Sequence, residues 1–275
     1  MIELKNINYK YSPSSENILE NVSATIEDGR IYGLMGQNGV GKTTMLKLCA
    51  GLLLAKEGKV TQDGLDVSAR GVATLEEVYY TSEKPDMPKK SVKDYAKMIA
   101  PFYPRFSMDE LKHCMDEFGM SLDAKMNKVS QGEQRKIQIS LAMAVGTKHI
   151  LLDEPTNGLD ITSKDTFRKI ISRNATDGRT IVMSTHLVHD IEQLVDSLII
   201  VGKKNILLDM TTTEVASKYC FGTATGSSTP SGTIFSEKCV GGTRYVKSKA
   251  ADDDETEVDI ELLYKAIVEK EMDRK

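Results

Sequence analysis

The sequence predicts an α/β fold: a parallel-stranded core with an antiparallel β lead-in, a helical subdomain and a small α+β appendage at the C-terminus. Three observations predict it. The apolar run Ile31 to Met35 passes straight into a glycine-punctuated turn and then a helical stretch, the order of a βα unit in a parallel sheet. Two further apolar runs, His149 to Leu152 and Thr180 to Met183, each end in a cluster of polar residues, as buried strands do where a sheet meets its ligand edge. Past Tyr219 the composition shifts to Gly, Ser and Thr, which separates residues 220–275 from 1–219.

The glycine-punctuated turn reads Gly36-Gln37-Asn38-Gly39-Val40-Gly41-Lys42-Thr43, the pattern of a phosphate-binding P-loop. Its glycines let the backbone adopt positive φ and approach a ligand, so that successive N–H groups form an anion nest. The helix that follows, Thr43 to Ala50 with a stop at Gly51, adds partial positive charge at its N-terminus. Lys42 supplies a full charge for the β- and γ-phosphates, and the Thr43 hydroxyl is a ligand for Mg²⁺. Gly36, Asn38, Gly39, Gly41, Lys42 and Thr43 are therefore the candidate phosphate-binding set.

Composition narrows the class. The chain has 275 residues, 40% hydrophobic, enough for a sizeable core. A net charge of −4 argues against a general nucleic-acid coat, and no nucleic-acid partner is expected. The four cysteines lack metal-ligand spacing, and Cys49, in the P-loop helix, reads as a buried thiol suited to a reducing compartment. Met-Ile-Glu-Leu-Lys-Asn does not read as a signal peptide. No apolar run approaches the roughly 18 residues of a membrane span, so any span must come from another chain.

Taken in order, Ile2 to Asn8 and Val22 to Ile26 alternate as half-buried strands, with Asp28-Gly29 turning into the P-loop strand. Tyr9 and Tyr11 lie between them; a tyrosine here either stacks on an adenine ring or packs on the sheet. Lys59 to Gln62 and Glu77 to Tyr80 are short strands. Beyond Pro85 and Pro88 the pattern is helical: Ser91 to Ala100, then a helix opened by the capping-box pattern Ser107-Met-Asp-Glu110 and running to about Phe118. Met87, Met98, Phe102, Tyr103, Phe106, Met108, Met115, Phe118 and Met120 crowd this region, as subdomain core or as an adaptable partner groove. Ser130-Gln131-Gly132-Glu133 opens a helix spanning Gln134 to Val145, with Ser130 as N-cap and Glu133 at N3. That start serves as a local cap or faces the γ-phosphate of a second nucleotide.

His149 to Leu152 ends in Asp153-Glu154-Pro155. Adjacent carboxylates at a buried strand end are costly without a cation. Asp153 would hold Mg²⁺, directly or through water, and Glu154, pointing the other way along the strand, would polarise an attacking water. A turn-rich loop, Thr156 to Asp160, leads to a helix from Ser163 to Arg173. Thr180 to Met183 ends in Ser184-Thr185-His186, where a histidine reaches a γ-phosphate oxygen. Leu187 to Leu194 reads as a helix, Leu198 to Val201 and Ile206 to Leu208 as strands, and 222–232 as a flexible loop or linker. Thr233 to Phe235 and Arg244 to Lys247 pair as strands, Asp252 to Glu255 is a solvated acidic turn, and Asp259 to Glu269 carries Ile260, Leu263, Tyr264 and Ile267 on one helical face.

An aromatic, a P-loop, a Ser-x-Gly helix start, an acidic strand end and a histidine strand end, in that order, resemble the ATP-binding subunit of an ABC transporter over roughly residues 1–219. The run Ile-Leu-Leu-Asp-Glu-Pro-Thr-Asn-Gly-Leu-Asp, 150–160, is the most specific part. The resemblance implies a P-loop NTPase core of ABC type with a helical subdomain at about 85–145. It implies Tyr11 as the adenine-stacking residue, Lys42, Thr43 and Thr44 as phosphate and Mg²⁺ groups, and Asp153 and Glu154 as metal carboxylate and catalytic base. His186 matches the switch histidine, and Asp160 the loop that acts across a dimer. Ser130, Gly132 and Glu133 match the signature that grips the partner's ATP. Two positions depart from the family. Leu-Ser-Gly-Gly-Gln is here Val129-Ser130-Gln131-Gly132-Glu133, and the metal-and-water glutamine falls on Ser82, with Glu83 beside it. The implied cofactors are ATP and Mg²⁺. The implied partners are a separate transmembrane permease subunit and a second ATP-binding subunit, identical or closely paralogous, on the cytoplasmic, inner face of the cell membrane. The implied function is ATP hydrolysis that powers transport, with the appendage and single P-loop pointing to export. Two alternatives remain: a soluble ABC-type ATPase not coupled to transport, whose relatives carry two cassettes or a coiled-coil insert, and a weakly hydrolysing ATP-dependent regulatory module.

Overall fold

A computed structural model describes residues 1–175, 178–225 and 229–272. Thirteen strands and eight helices run through them. The strands are β1 Ile2–Tyr9, β2 Leu19–Ile26, β3 Ile31–Met35, β4 Glu57–Gln62, β5 Leu65–Asp66, β6 Val78–Thr81, β7 His149–Asp153, β8 Thr180–Thr185, β9 Ser197–Val201, β10 Ile206–Thr211, β11 Tyr219–Ala224, β12 Thr233–Cys239 and β13 Gly242–Ser248. The helices are α1 Lys42–Cys49, α2 Val72–Leu75, α3 Val92–Ile99, α4 Met108–Glu117, α5 Gln131–Ala144, α6 Ile161–Ala175, α7 Thr212–Lys218 and α8 Ile260–Met272.

Three sheets organise the chain. The lead-in sheet is antiparallel, in the order β2-β1-β4-β5. The central sheet has the order β10-β9-β3-β8-β7-β6, parallel except where β10 returns against β9. Every residue of β3, β7, β8 and β9 is buried, which explains why these strands read as continuous apolar runs rather than alternations. One face packs on β1, β2 and α1 through Leu34, Leu46, Leu151 and Ile199. The other packs on α6 and α8 through Phe167, Ile170, Leu262 and Leu263. Helices α3, α4 and α5 share a smaller core around Val92, Leu111, Met115, Ile137 and Leu141. The third sheet, β11-β13-β12, closes the C-terminal region with α8.

Several local expectations need correction. Residues 187–194 form no α-helix: a single 3-10 turn, Val188–Asp190, is followed by turns. The apolar spacing there buries Val188, Ile191 and Val195 from a tight loop. The loop is pinned because Leu187 donates its N–H to Thr185 Oγ1 and the Asp190 carboxylate pairs with Lys164 at 2.8 Å. The supposed linker is partly strand: Gly222 to Ala224 lie in β11, where Gly222 pairs with Tyr245. A Cβ at 222 would sit 2.6 Å from the Tyr245 hydroxyl, so this glycine makes room for a ring. Residues 226–228 of that stretch lie outside the described residues. Helix α7, capped by Thr211 and Glu214, and the extension of β10 to Thr211 were not read from the pattern. Ser107 caps α4, but the Glu110 carboxylate turns to Arg173 at 2.9 Å instead of closing a capping box. In the acidic turn, Asp253 is not merely solvated; it binds Lys247 at 2.5 Å and the Ala250 N–H at 2.7 Å.

Candidate functional site

The central sheet's strand order puts the exits of β3, β7 and β8 side by side. Met35 is in register with Thr185, and Asp153 with Ser184. This edge carries the site. Gly36 leaves β3 so close to its neighbour that a Cβ would lie 2.6 Å from the Val201 carbonyl. Gly41, at φ 115°, turns the loop into α1 in a conformation side-chain-bearing residues avoid. No side chain caps α1 and its first turn holds no acidic residue, so no cap occupies its N-terminal N–H groups. Lys42 folds back over the loop: Nζ donates to the carbonyls of Gly36 at 2.8 Å and Gln37 at 3.3 Å.

The two acidic residues take different surroundings. Asp153 ends β7 almost wholly buried. Its carboxylate accepts from Ser184 Oγ at 2.6 Å and from Tyr80 at 3.2 Å, and Thr43 Oγ1 lies 2.9 and 3.0 Å from its two oxygens. Glu154 does not point away by strand alternation. The strand has ended, and Glu154 sits at φ 48°, in the left-handed region. Its N–H is tied to the Ser184 carbonyl at 3.2 Å and to Ser184 Oγ at 3.0 Å, which holds the turn against its backbone strain. The turn returns the Glu154 carboxylate to the P-loop, 3.4 Å from Lys42 Nζ and 2.9 Å from His186 Nδ1. A carboxylate this buried needs both partners.

A cavity of about 460 Å³ opens over these groups. Of the expected site residues, Tyr11, Asn38, Gly39, Gly41, Lys42, Thr43, Thr44, Glu154 and His186 line it. Gly36 and Asp153 lie just beneath. Tyr11 is 58% exposed, its hydroxyl 2.9 Å from Thr44 Oγ1, while Tyr9 is buried in the lead-in core and meets Tyr11 edge-on. Ser82 does not line the cavity, but Glu83 and Lys84 do. The carbonyls of Ser82 and Glu83 are held by the buried Arg135 of α5 at 3.1 and 2.6 Å. Burial lowers the Arg135 pKa from its usual value.

Thr43 and Asp153 fit a hard cation: one hydroxyl and one carboxylate at hydrogen-bonding distance. Among the described residues no three His, Cys, Asp or Glu side chains gather as a cage, so this donor pair suits an ion that arrives with phosphate oxygens, as Mg²⁺ does.

Ser130, Gly132, Glu133 and Asp160 lie apart from this cavity. Ser130 caps α5 in a full capping box: its hydroxyl is 2.8 Å from Glu133 Oε2, which also accepts the Ser130 N–H at 2.8 Å. That backbone bond holds the Glu133 carboxyl below its usual range. A Cβ on Gly132 would sit 2.8 Å from the Gly158 carbonyl, so the helix start abuts the loop that ends at Asp160. Asp160 accepts the Ser163 N–H at 2.7 Å, which lowers its pKa and fixes the start of α6. Sequence reasoning missed Ser184, Tyr80, Lys84 and Arg135. The position of Ser184 at the end of the run beside Asp153's strand was the available signal; the others depend on tertiary approach.

Comparisons with known proteins bear on the family and the fold. The family model for the ABC transporter matches residues 19–157. The ATP-binding protein NatA of Bacillus subtilis is 31% identical over 197 residues, covering 69% of this chain and 80% of NatA. YtrB of the same organism, also an ABC transporter ATP-binding protein, is 30% identical over 195 residues, covering 70% of this chain and 66% of YtrB. The lipopolysaccharide export system ATP-binding protein LptB of Haemophilus influenzae is 30% identical over 220 residues, covering 76% and 90%. In structure, the ATP-binding subunit of an ABC transporter superposes with a TM-score of 0.71 at 23% identity over 78% of this chain and 91% of that one. A dimeric ATP-binding cassette in a post-hydrolysis state with ADP and Pi gives 0.69 at 22% over 77% and 98%. With a P-loop, an acidic strand end and a histidine converging on one cavity, and these matches along most of its length, the chain belongs to the ABC transporter family as an ATP-binding subunit.

Proposed function

We propose that this chain hydrolyses ATP in a two-fold pair of cassettes and uses the resulting opening and closing to drive export through a separate transmembrane permease, on the inner face of the cell membrane. The observation that carries the reading is the placement of Glu154: a buried carboxylate turned toward the phosphate cavity and bracketed by Lys42 and His186.

In this mechanism the P-loop amides and the α1 N-terminus bind the phosphates, and Lys42 exchanges its carbonyl partners for β- and γ-phosphate oxygens. Tyr11 offers its exposed ring to the adenine. Glu154 accepts a proton from the attacking water, and His186 holds the carboxylate in place. Thr43 and Asp153 would hold Mg²⁺, which when bound offsets charge on the phosphates. Ser130, Gly132 and Glu133, beside the Asp160 loop, face the second copy's nucleotide. Their distance from this chain's own cavity supports a site completed across the pair. No helix of the described residues is long and apolar enough to cross a membrane, so the permease supplies the span. Its docking place is an apolar groove of about 460 Å³ walled by Leu52, Val72, Leu75, Tyr95, Phe102 and Tyr103, where Val72 and Phe102 are 74% and 71% exposed. LptB, an export-system protein by name, supports the direction.

Glu154→Gln tests the core of the reading. The variant is expected to bind ATP, to lose hydrolysis by about 100-fold or more, and to sediment as a dimer with ATP. A variant that stays monomeric with ATP bound would count against the paired mechanism.

A further inference from the structure

Asp153 is more heavily bonded than a carboxylate needs to be for burial alone. The Thr43 hydroxyl lies between its oxygens, and Ser184 holds Oδ1 at 2.6 Å. The remaining contact comes from outside the P-loop: the Tyr80 hydroxyl, from the edge strand β6, reaches Oδ2 at 3.2 Å. Tyr80 lies two residues before Ser82, whose carbonyl Arg135 and Gln138 hold. Its ring packs on the core beneath the lead-in sheet and forms part of the wall of the apolar groove. One side chain thus places an aromatic body in an apolar wall and a polar tip at the acidic strand end, a use to which tyrosine is suited. An ordinary tyrosine titrates at about 10, so at neutral pH the hydroxyl carries its proton and is a donor.

We propose that Tyr80 is a positioning residue for the metal-holding carboxylate: its hydroxyl fixes Asp153 Oδ2 from the β6 side while Ser184 fixes Oδ1. Partners of this kind set the orientation and affinity of a metal ligand without touching the ion. With a cation held by Thr43 and Asp153, the Thr43 hydroxyl would serve the ion rather than the carboxylate. Ser184 and Tyr80 are then the side chains that hold the Asp153 orientation. The proposal rests on the reading of Asp153 as the metal carboxylate, and it goes beyond that reading in assigning Tyr80 to the site.

Mn²⁺ binding, followed by electron paramagnetic resonance in the presence of ADP, tests it on the full chain. Tyr80→Phe keeps the ring and removes the hydroxyl. It is expected to weaken Mn²⁺ binding about tenfold, while affinity for ADP in EDTA stays at the wild-type value. An unchanged Mn²⁺ affinity in Tyr80→Phe overturns the proposal. So does a parallel loss of ADP affinity in EDTA, which would mark Tyr80 as a structural support of the whole pocket. If the wild-type chain binds ADP but no nucleotide-dependent Mn²⁺, the metal role of Asp153 fails first, and that failure is visible before any variant is made.

Discussion

Lys42 shows how much of the site is assembled around single side chains. Its ammonium is buried, with two loop carbonyls and the Glu154 carboxylate as partners. Such a group exchanges neutral carbonyl contacts for phosphate oxygens at little desolvation cost, because it is already out of water. Lys42→Ala is expected to weaken ATP binding by at least about 100-fold, since contacts to a charged ligand contribute roughly 1.5–3 kcal/mol each and in the proposed mechanism this lysine would meet both the β- and γ-phosphates. Calorimetry with ATP checks it, and an unchanged affinity would remove Lys42 from the site. Lys42, Thr43, Asp153, Glu154 and His186 were legible in the sequence because each sits at a fixed offset from an apolar run. The conformation of Glu154 was not. Period-2 alternation presumes that the strand continues, and here it stops one residue earlier, with Ser184 across the sheet holding the turn. Tyr80 was read only as the end of a strand, since nothing local shows that its hydroxyl reaches Asp153.

At the scale of elements, α5 ties the Ser130 helix start to the segment that leaves β6. Arg135 and Gln138, one turn apart on α5, both donate to the Ser82 carbonyl, and Arg135 also holds the Glu83 carbonyl. Residues 82–84 therefore follow α5, and Glu83 and Lys84 line the cavity as a consequence. Arg135→Ala would take the Arg135 donor from the Glu83 carbonyl and leave the Ser82 carbonyl to Gln138 alone, in a part-buried setting. It is expected to destabilise the chain by about 2–4 kcal/mol and to lower ATP turnover more than ATP affinity. A thermal melt and steady-state kinetics separate the two effects; wild-type turnover in a destabilised variant would show that α5 does not position 82–84. Elements of this sheet were legible where burial on both faces made an unbroken apolar run, as in Ile31 to Met35. They were illegible where tertiary contacts decided the backbone. Thr185 and Lys164 turn 187–194 into a loop despite helical spacing, and Tyr245 draws Gly222 into a strand despite loop-like composition.

At the scale of the molecule, the phosphate cavity and the apolar groove share two elements. The N-terminus of α1 lines the cavity through Lys42, Thr43 and Thr44, and Ala50 and Leu52, just past its C-terminal end, line the groove. The helix is eight residues long, about 12 Å at 1.5 Å per residue. The β6 segment repeats the arrangement: Val78, Tyr79 and Tyr80 wall the groove, and Glu83 and Lys84 line the cavity. A partner seated in the groove would thus bear on both elements that frame the nucleotide, and rigid packed elements pass displacement rather than absorb it. Phe102 is the place to break this link without touching the site. It is exposed, lines the groove and not the phosphate cavity, and its replacement should change stability by no more than about 0.5 kcal/mol. Phe102→Glu is expected to keep the melting temperature and ATP affinity while abolishing co-purification with a polytopic membrane protein from detergent-solubilised membranes, because the substitution puts an unpaired charge into an apolar contact. Undiminished recovery of that membrane protein would place the docking surface elsewhere, and the coupling through α1 and β6 would lose its input.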